Sequence, residues 1–312
     1  MNQHMEDRII QALNQAYPIQ FTTAEAVTNE MYRCSSQTGI YFVRATNYKS
    51  YQGQVEEARW LNYLHTQDVG VPQIIPSHTN ALVEQVQLNS LKSVVVFQAA
   101  PGIHLPRSQW NGTVFRTLGQ QIGKLHRVSR DYLKTQPTVQ INHWYESEEY
   151  DFLRHIPASV KTIRAIADNV LNQVKELPKD ESTYGLIHGD LWLENTLVDS
   201  DGKLTMIDFQ DGEQHYYVYD LAVPIYSALE YSFAGGENIR DYERSITEAL
   251  IEGYREESNL TTEMLMRLPL FLQLKEIFEY NCMHRYWDAA NLSEEQVRIM
   301  NLYRYRLESR YG

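Results

Sequence analysis

The 312 residues contain two cysteines, Cys34 and Cys282. A pair so far apart makes neither a disulfide framework nor a zinc site, and it points to a reducing compartment. Basic charge is also scarce: 28 Lys and Arg face 40 Asp and Glu, for a net charge of −12. That balance argues against a general binder of nucleic acid or of anionic membranes. No stretch approaches the ~20 apolar residues a membrane span needs, and Met1–Arg8 lacks the apolar run of a secretory signal. There is no internal repeat and no low-complexity tract. Neither a P-loop nor a dinucleotide fingerprint is present, since Gly119–Lys124 has the wrong spacing and no following Ser or Thr. The expectation is a soluble, cytoplasmic protein with no nucleic-acid or membrane partner.

What the chain does have is enough apolar surface to bury a core: 43% hydrophobic and 12% aromatic residues, with 22 tyrosines. The acidity is uneven. Residues 1–98 carry a net charge of −2 and residues 99–312 carry −10. An acidic second part attracts cations, although solubility alone also accounts for surface acid.

Apolar periodicity predicts a helix over 5–16, strands around Phe21, Met31–Cys34 and Ile40–Val43 with a turn at Gln37–Gly39, and a helix over 54–67. A strand pair follows around Ala81–Gln87 and Ser93–Gln98, and Ala100-Pro101-Gly102 breaks the pattern. Beyond the break the chain reads as helices near 112–129, 158–176, 217–232, 238–256, 262–288 and 294–309, with a β-rich island at 185–210. The expected domains are a small α+β part, residues 1–98, and a larger, mainly helical part, residues 99–312. A cleft between two such lobes is a natural place for a nucleotide.

The island carries the chemistry. In LIHGDLWLENTLVDSDGKLTMIDFQDG, residues 186–212, Asp190 and Asn195 are five apart and Asp208 follows 13 residues after Asn195. The Asp199-Ser200-Asp201-Gly202 turn joins Thr196–Val198 to Leu204–Ile207, so a hairpin can carry Asp208 back toward Asn195 and Asp190. Two carboxylates and an amide oxygen are hard ligands of the kind Mg²⁺ accepts beside phosphates. A calcium-loop register fails, because it puts Leu197 at the first ligand position and Asp208 where a bidentate Glu is needed.

His188-Gly189-Asp190-x-x-x-x-Asn195, followed by the apolar strand and Asp208-Phe209, resembles the aminoglycoside phosphotransferase/choline kinase family. The resemblance implies a bilobal protein-kinase-like fold of the α+β class, with a small β-rich N-lobe and a mainly helical C-lobe. It implies Asp190 as catalytic base at the acceptor hydroxyl, Asn195 and Asp208 as Mg²⁺ ligands on ATP or GTP phosphates, and His188 as a brace for the loop. Asp220, in Tyr219-Asp220-Leu221-Ala222, matches the acidic residue that ties down the catalytic segment. In the N-terminal part, Asn29-Glu30-Met31-Tyr32-Arg33 resembles the nucleotide-positioning loop. Tyr41-Phe42-Val43-Arg44 resembles the strand with the phosphate-binding cation, and Glu57 the helix acid that pairs with it. Val94–Phe97 with Gln98-Ala99-Ala100 resembles the hinge against the base, and Leu118–His126 the first long C-lobe helix. The likeness runs from about residue 18 to about residue 225.

Two departures stand out. The strand cation is Arg44 where the family commonly has Lys, and an Arg is not a geometric copy of Lys. The preceding segment Thr22–Asn29 contains no glycine, so bringing backbone N–H groups onto phosphate is harder.

Other positions admit two readings. Asp211 suits a second metal, directly or through water, and equally a solvated loop acid. His104, His126 and His215 read as structural or solvated histidines. Tyr280, His284 and Trp287, with Glu276 and Glu279 nearby, read as core packing before they read as the aromatic-and-acid wall of a pocket for a cation. The leading expectation is a Mg²⁺-dependent phosphotransferase moving the terminal phosphoryl of ATP or GTP to a hydroxyl of a small molecule, cationic in one version. The alternatives are a protein Ser/Thr kinase and a non-catalytic nucleotide-binding relative. Only 11 residues separate Asp208 from Asp220, which leaves little room for an activation loop.

Overall fold

The computed structural model describes residues 3–136, 138–230 and 239–312. The chain opens with α1 (Gln3–Ala16). Ile9, Leu13 and Tyr17 recur four apart and are fully buried, which fixes the face α1 turns to the sheet. The strands are β1 (Phe21–Ala26), β2 (Met31–Ser36) and β3 (Gly39–Thr46). Helix α2 (Tyr51–Thr66) starts three residues before the expected 54–67, because the Ser50 side chain accepts the Gly53 N–H as its cap. Next come β4 (Ile74–Ile75), which sequence reasoning missed, β5 (Glu84–Gln87) and β6 (Leu91–Gln98). These strands form an antiparallel sheet in the order β1-β2-β3-β6-β4, with β5 also paired to β6. Tyr41, Val43 and Ala45 of β3 share one buried face with Val94 and Val96 of β6 and with the α1 residues. Strand alternation therefore sends Phe42 and Arg44 to the opposite face.

The rest of the chain is mainly helical: α3 (Gly112–Thr135), α4 (Phe152–His155) and α5 (Lys161–Lys175) precede the strands β7 (Tyr184–Ile187), β8 (Thr196–Val198), β9 (Leu204–Met206) and β10 (Glu213–Tyr216). Then follow α6 (Tyr217–Glu230), α7 (Ile239–Glu257), α8 (Thr262–Leu265), α9 (Leu268–Tyr286) and α10 (Glu294–Tyr311). Tyr231, Ser232 and Asn238, at the ends of two expected helices, lie outside the described residues. The single helix expected over 262–288 is split into α8 and α9. Pro269 lacks an N–H and its ring would clash with the Leu265 carbonyl, so the helix restarts with Pro269 in its first turn. Strand β10 falls beyond the expected island and pairs antiparallel with β7, Glu213 opposite Ile187.

The chain divides into two compact units. The first holds the chain through Gln109 together with Arg127–Ile141 and Glu194–Gly212; the second holds Trp110–His126, Asn142–Leu193 and Glu213–Gly312. In the second unit α3 and α7 cross closely. A Cβ on Gly253 would lie 1.9 Å from the Arg116 carbonyl oxygen, so only glycine permits that approach. Among the described residues no helix is long and apolar enough to cross a membrane.

Candidate active site

In the first unit, Arg44 reaches from β3 to Glu57 on α2, with Nη2 2.7 Å from Oε1 and both side chains about 4% exposed. The Arg44 guanidinium also lies over the Phe97 ring, 5.7 Å from its centre. Sequence reasoning missed a second cation: Lys49 Nζ stands 3.8 Å from Glu57 Oε2 and is 28% exposed. Among the described residues Arg44 Nε and Glu57 Oε2 are buried without a hydrogen-bond partner. The turn between β1 and β2, where glycine is lacking, is closed by Thr28, whose hydroxyl accepts the N–H groups of Glu30 and Met31. Asn29 is exposed in that turn. Gln98 ends β6 opposite Tyr41, its N–H donating to the Gln73 carbonyl at 2.9 Å, and Ala100 is half-buried just beyond. Among the described residues no side-chain hydrogen bond ties Asn29 or Gln98 to the Arg44–Glu57 pair.

The β8–β9 hairpin is also in the first unit. Thr196 pairs with Met206 and Val198 with Leu204. At the turn Gly202 has a φ of +78°, and the Asp199 carboxylate accepts the N–H groups of Asp201 and Lys203, each at 2.9 Å. The hairpin sets Asn195 beside Ile207, whose N–H donates to the Asn195 carbonyl at 2.9 Å. The next residue, Asp208, has a φ of +63°. A non-glycine residue there carries strain of about 1–2 kcal/mol, a feature that gathers at functional positions. Its carboxylate is exposed and accepts from Gln210 Nε2 at 3.1 Å. The chain beyond is anchored by Phe209, which meets Trp60 edge-on at 5.5 Å, and Trp60 Nε1 donates to Ser129 Oγ at 2.9 Å. Asp211 is exposed and accepts the Tyr48 hydroxyl at 3.2 Å.

In the second unit, β7 delivers the His188-Gly189-Asp190 segment. Gly189 has a φ of +83°, a conformation an L side chain resists. The Asp220 carboxylate, on α6, accepts two consecutive backbone N–H groups, His188 to Oδ2 at 2.8 Å and Gly189 to Oδ1 at 2.9 Å. His126 Nε2 stands 3.0 Å from the same Oδ2, and its Nδ1 is 3.0 Å from the Tyr254 hydroxyl. Asp220, His126 and His188 are wholly buried. Burial pushes the Asp220 carboxyl up, but the His126 hydrogen bond and charge, with the His188 contacts, outweigh it and hold Asp220 below the usual carboxylate range. His126, which reads in the sequence as a lone structural histidine, is thus part of the strap under the loop. The Asp190 N–H points to His188 Nδ1 at 3.4 Å.

The Asp190 carboxylate, 32% exposed, has a partner that sequence reasoning did not single out. Lys275 on α9 places Nζ 3.1 Å from Asp190 Oδ1 and 2.7 Å from Glu279 Oε1, while its own side chain is 1% exposed. Trp192 and Phe278 lie around the ammonium, their ring centres 5.4 and 5.0 Å away. The Tyr280 and His284 rings pack edge-on at 4.7 Å with Tyr280 buried, and Glu276 is buried against Arg306 at 2.7 Å. His215 is sealed between Trp144 and Tyr219, 4.9 and 4.6 Å between ring centres.

Known proteins resemble this chain in sequence and fold. The amicoumacin kinase of Bacillus subtilis (strain 168) is 28% identical over 285 residues, 90% of this chain and 84% of that protein. The structure of amicoumacin kinase hAmiN in complex with AMP-PNP, Ca²⁺ and Ami matches with a TM-score of 0.87 and 23% identity, covering 100% of this chain and 95% of the other. A microcompartment-associated aminopropanol kinase matches with a TM-score of 0.75 and 22% identity, covering 97% and 96%. These likenesses give the kinase-like α+β fold. The model of the phosphotransferase enzyme family, APH, matches residues 22–256, so the chain belongs to that family and is a phosphotransferase.

Proposed function

We propose that the chain moves the terminal phosphoryl group of ATP or GTP to a hydroxyl of a small molecule in a Mg²⁺-dependent reaction, with Asp190 as the base. The observation that carries this reading is the loop strap in the second unit: a buried carboxylate, Asp220, takes two successive N–H groups and fixes the backbone that presents Asp190. In the step, the acceptor oxygen bonds to phosphorus and its proton passes to Asp190. The bond from phosphorus to the bridging oxygen of the nucleotide breaks, and the diphosphate leaves. Positioning and charge neutralisation carry most of the work in such transfers.

Asn195 and Asp208 would hold Mg²⁺. They supply one amide and one carboxylate oxygen at the base of one hairpin, a hard donor set that leaves room for phosphate oxygens. Bound there, the ion would neutralise phosphate charge. Asp211 is the candidate for a further contact. Arg44 and Lys49, held on opposite oxygens of Glu57, would steady the phosphates, and Asn29, Gln98 and Ala100 would border the nucleotide. In domain terms, residues 1–98 would bind nucleotide, and residues 99–312 would supply the catalytic loop and the acceptor site. Asp190 is a half-buried carboxylate, 32% exposed, which suits a cationic acceptor, while Glu279 is occupied by Lys275. An amino alcohol is the leading class, in keeping with relatives that act as amicoumacin and aminopropanol kinases. A protein Ser/Thr kinase fits less well, because the segment from Asp208 to Asp220 is taken up by a short helical turn, β10 and the start of α6.

The test is a nucleotide-consumption screen with ATP and GTP against amino alcohols and hydroxylated antibiotics, followed by Asp190→Ala. Turnover of one acceptor and a kcat loss of roughly 10²–10⁴ in the variant, with nucleotide binding kept, is the expected result. Equal turnover in Asp190→Ala would overturn the assignment.

A further inference from the structure

The Asp220 strap fixes the backbone of the catalytic loop but not the torsions of the Asp190 side chain. A carboxylate on a loop can swing away from its target while its Cα stays still, and misplacement by about 1 Å can cost about 10²-fold in rate. A group that contacts the carboxylate directly can hold it, and one such group comes from a distant helix.

We propose that Lys275 is a positioning residue for phosphoryl transfer: from α9 it grips Oδ1 of Asp190 and aims the carboxylate at the acceptor, while Glu279 balances its charge. The inference rests on the reading of Asp190 as base. Lys275 is 1% exposed, and it sits 3.1 Å from Asp190 and 2.7 Å from Glu279. Burying an ammonium is costly unless it is paired and hydrogen-bonded. If Lys275 served only the i,i+4 pair with Glu279, that pair could stand on the solvated face of α9, where such pairs are usually found. It lies instead under the catalytic loop, walled by Trp192 from the loop and Phe278 from its own helix.

The groups that face the ammonium are Glu279 on α9, Asp190 on the loop and Tyr219 on α6. Burial alone would lower the Lys275 pKa, but Glu279 and Asp190 outweigh it and hold the lysine well above its ordinary value. Lys275 is therefore a permanent cation in the working pH range. A permanent cation contacting one carboxylate oxygen orients the group and gives up no proton itself.

The experiment uses the full chain with Mg²⁺ and ATP, following ADP release with water as acceptor and in parallel with 1-amino-2-propanol. Lys275→Met should lower kcat by about 10- to 100-fold while the KM for ATP stays within about twofold. Lys275→Arg should recover part of the rate, since it keeps a cation in reach. Glu279→Gln, which leaves the Lys275–Asp190 contact in place, should keep kcat within about threefold. In an Asp190→Asn background, Lys275→Met should add little further loss, because its effect runs through a carboxylate already removed. Thermal unfolding of each variant separates rate losses from failure to fold, and Glu279→Gln with Lys275→Arg keeps the question open to refutation if Lys275→Met does not fold. Wild-type kcat in Lys275→Met, an equal loss in Glu279→Gln, or a full additional loss in the Asp190→Asn background would overturn the inference. Retained turnover in Asp190→Asn alone would instead overturn the base reading, and the inference with it.

Discussion

The Arg44–Glu57 pair makes a sharp quantitative test, because both side chains are about 4% exposed and 2.7 Å apart. Removing one partner from a buried pair strands the other charge and costs about 3–5 kcal/mol. Replacing both with apolar groups of similar volume is close to neutral, since desolvation of the two ions roughly cancels their attraction. Glu57→Leu leaves two cations, Arg44 and Lys49, without their acid, so it should show the full loss of about 3–5 kcal/mol. Arg44→Met leaves Glu57 with Lys49 at 3.8 Å, and that residual contact should hold the loss nearer the lower end. The double variant should return to within about 1 kcal/mol of wild type, giving a coupling of several kcal/mol. Urea unfolding of the four proteins measures this directly, and calorimetry with Mg²⁺ and ATP measures the functional side. Nucleotide affinity should fall in both single variants and should not recover in the double, because the charge proposed to meet the phosphates is gone even where stability returns. Additive stability losses would refute the buried-pair reasoning. Recovered affinity in the double variant would refute the role of Arg44 at the phosphates.

Asp208→Ala should weaken Mg²⁺-nucleotide binding and abolish turnover, with Asn195→Ala milder; unchanged affinity in Asp208→Ala by calorimetry would refute the metal role. Asp220→Asn, which loses charge-assisted bonds to two N–H groups and to His126, should destabilise the fold by about 3 kcal/mol and slow transfer; unaltered unfolding and unaltered kcat would show that the strap is dispensable. His215 has its pKa pushed well below the ordinary value by burial and by Lys179, so the folded state favours the neutral ring. The unfolded chain then binds the extra proton first, and the stability tied to His215 is present above about pH 6.5 and lost as pH falls below it. Between pH 7.5 and 5.5 that loss should be about 1.4 kcal/mol by urea unfolding, and His215→Gln should remove it. An identical pH dependence in the variant would exclude His215 as the source.

The β8–β9 hairpin is legible in the sequence because everything that makes it is local. A four-residue turn of Asp, Ser and Gly stands between two short apolar runs, and the spacing of Asn195 and Asp208 follows. The contact between Arg44 and Glu57 is nearly as local, resting on strand alternation and on one face of the next helix. The parts that are not legible depend on long-range burial. Lys275 lies 85 residues from Asp190, and on a helix whose two faces are both largely covered a lysine reads as a solvated charge. His126 and Asp220 are 94 residues apart, and neither position alone shows that the other completes it. Strand β10, Glu-Gln-His-Tyr, has no alternation of apolar and polar residues, since Trp144 and Tyr219 cover His215 while Tyr150 donates to Glu213. Lys49 gives no signal in the sequence, because it follows β3 and is not within it.

The two units secure their functional groups by different physical means, and the difference bears on where acceptor preference is set under the proposed reading. In the first unit Asp208 and Asp211 are exposed, so each is placed by backbone geometry, a left-handed residue and a tight hairpin. In the second unit Asp190 is placed by a buried network drawn from α3, α6 and α9. Exposed charges further apart than about 8 Å are largely screened at physiological salt. Most of the −10 carried by residues 99–312 therefore cannot tell one acceptor from another. Half-buried carboxylates are screened far less. Asp190, Lys275 and Glu279 together carry one net negative charge, and their geometry depends on a single buried ammonium. Discrimination for a cationic acceptor is therefore concentrated in Asp190 itself, because the Glu279 carboxylate is taken up by the Lys275 ammonium at 2.7 Å.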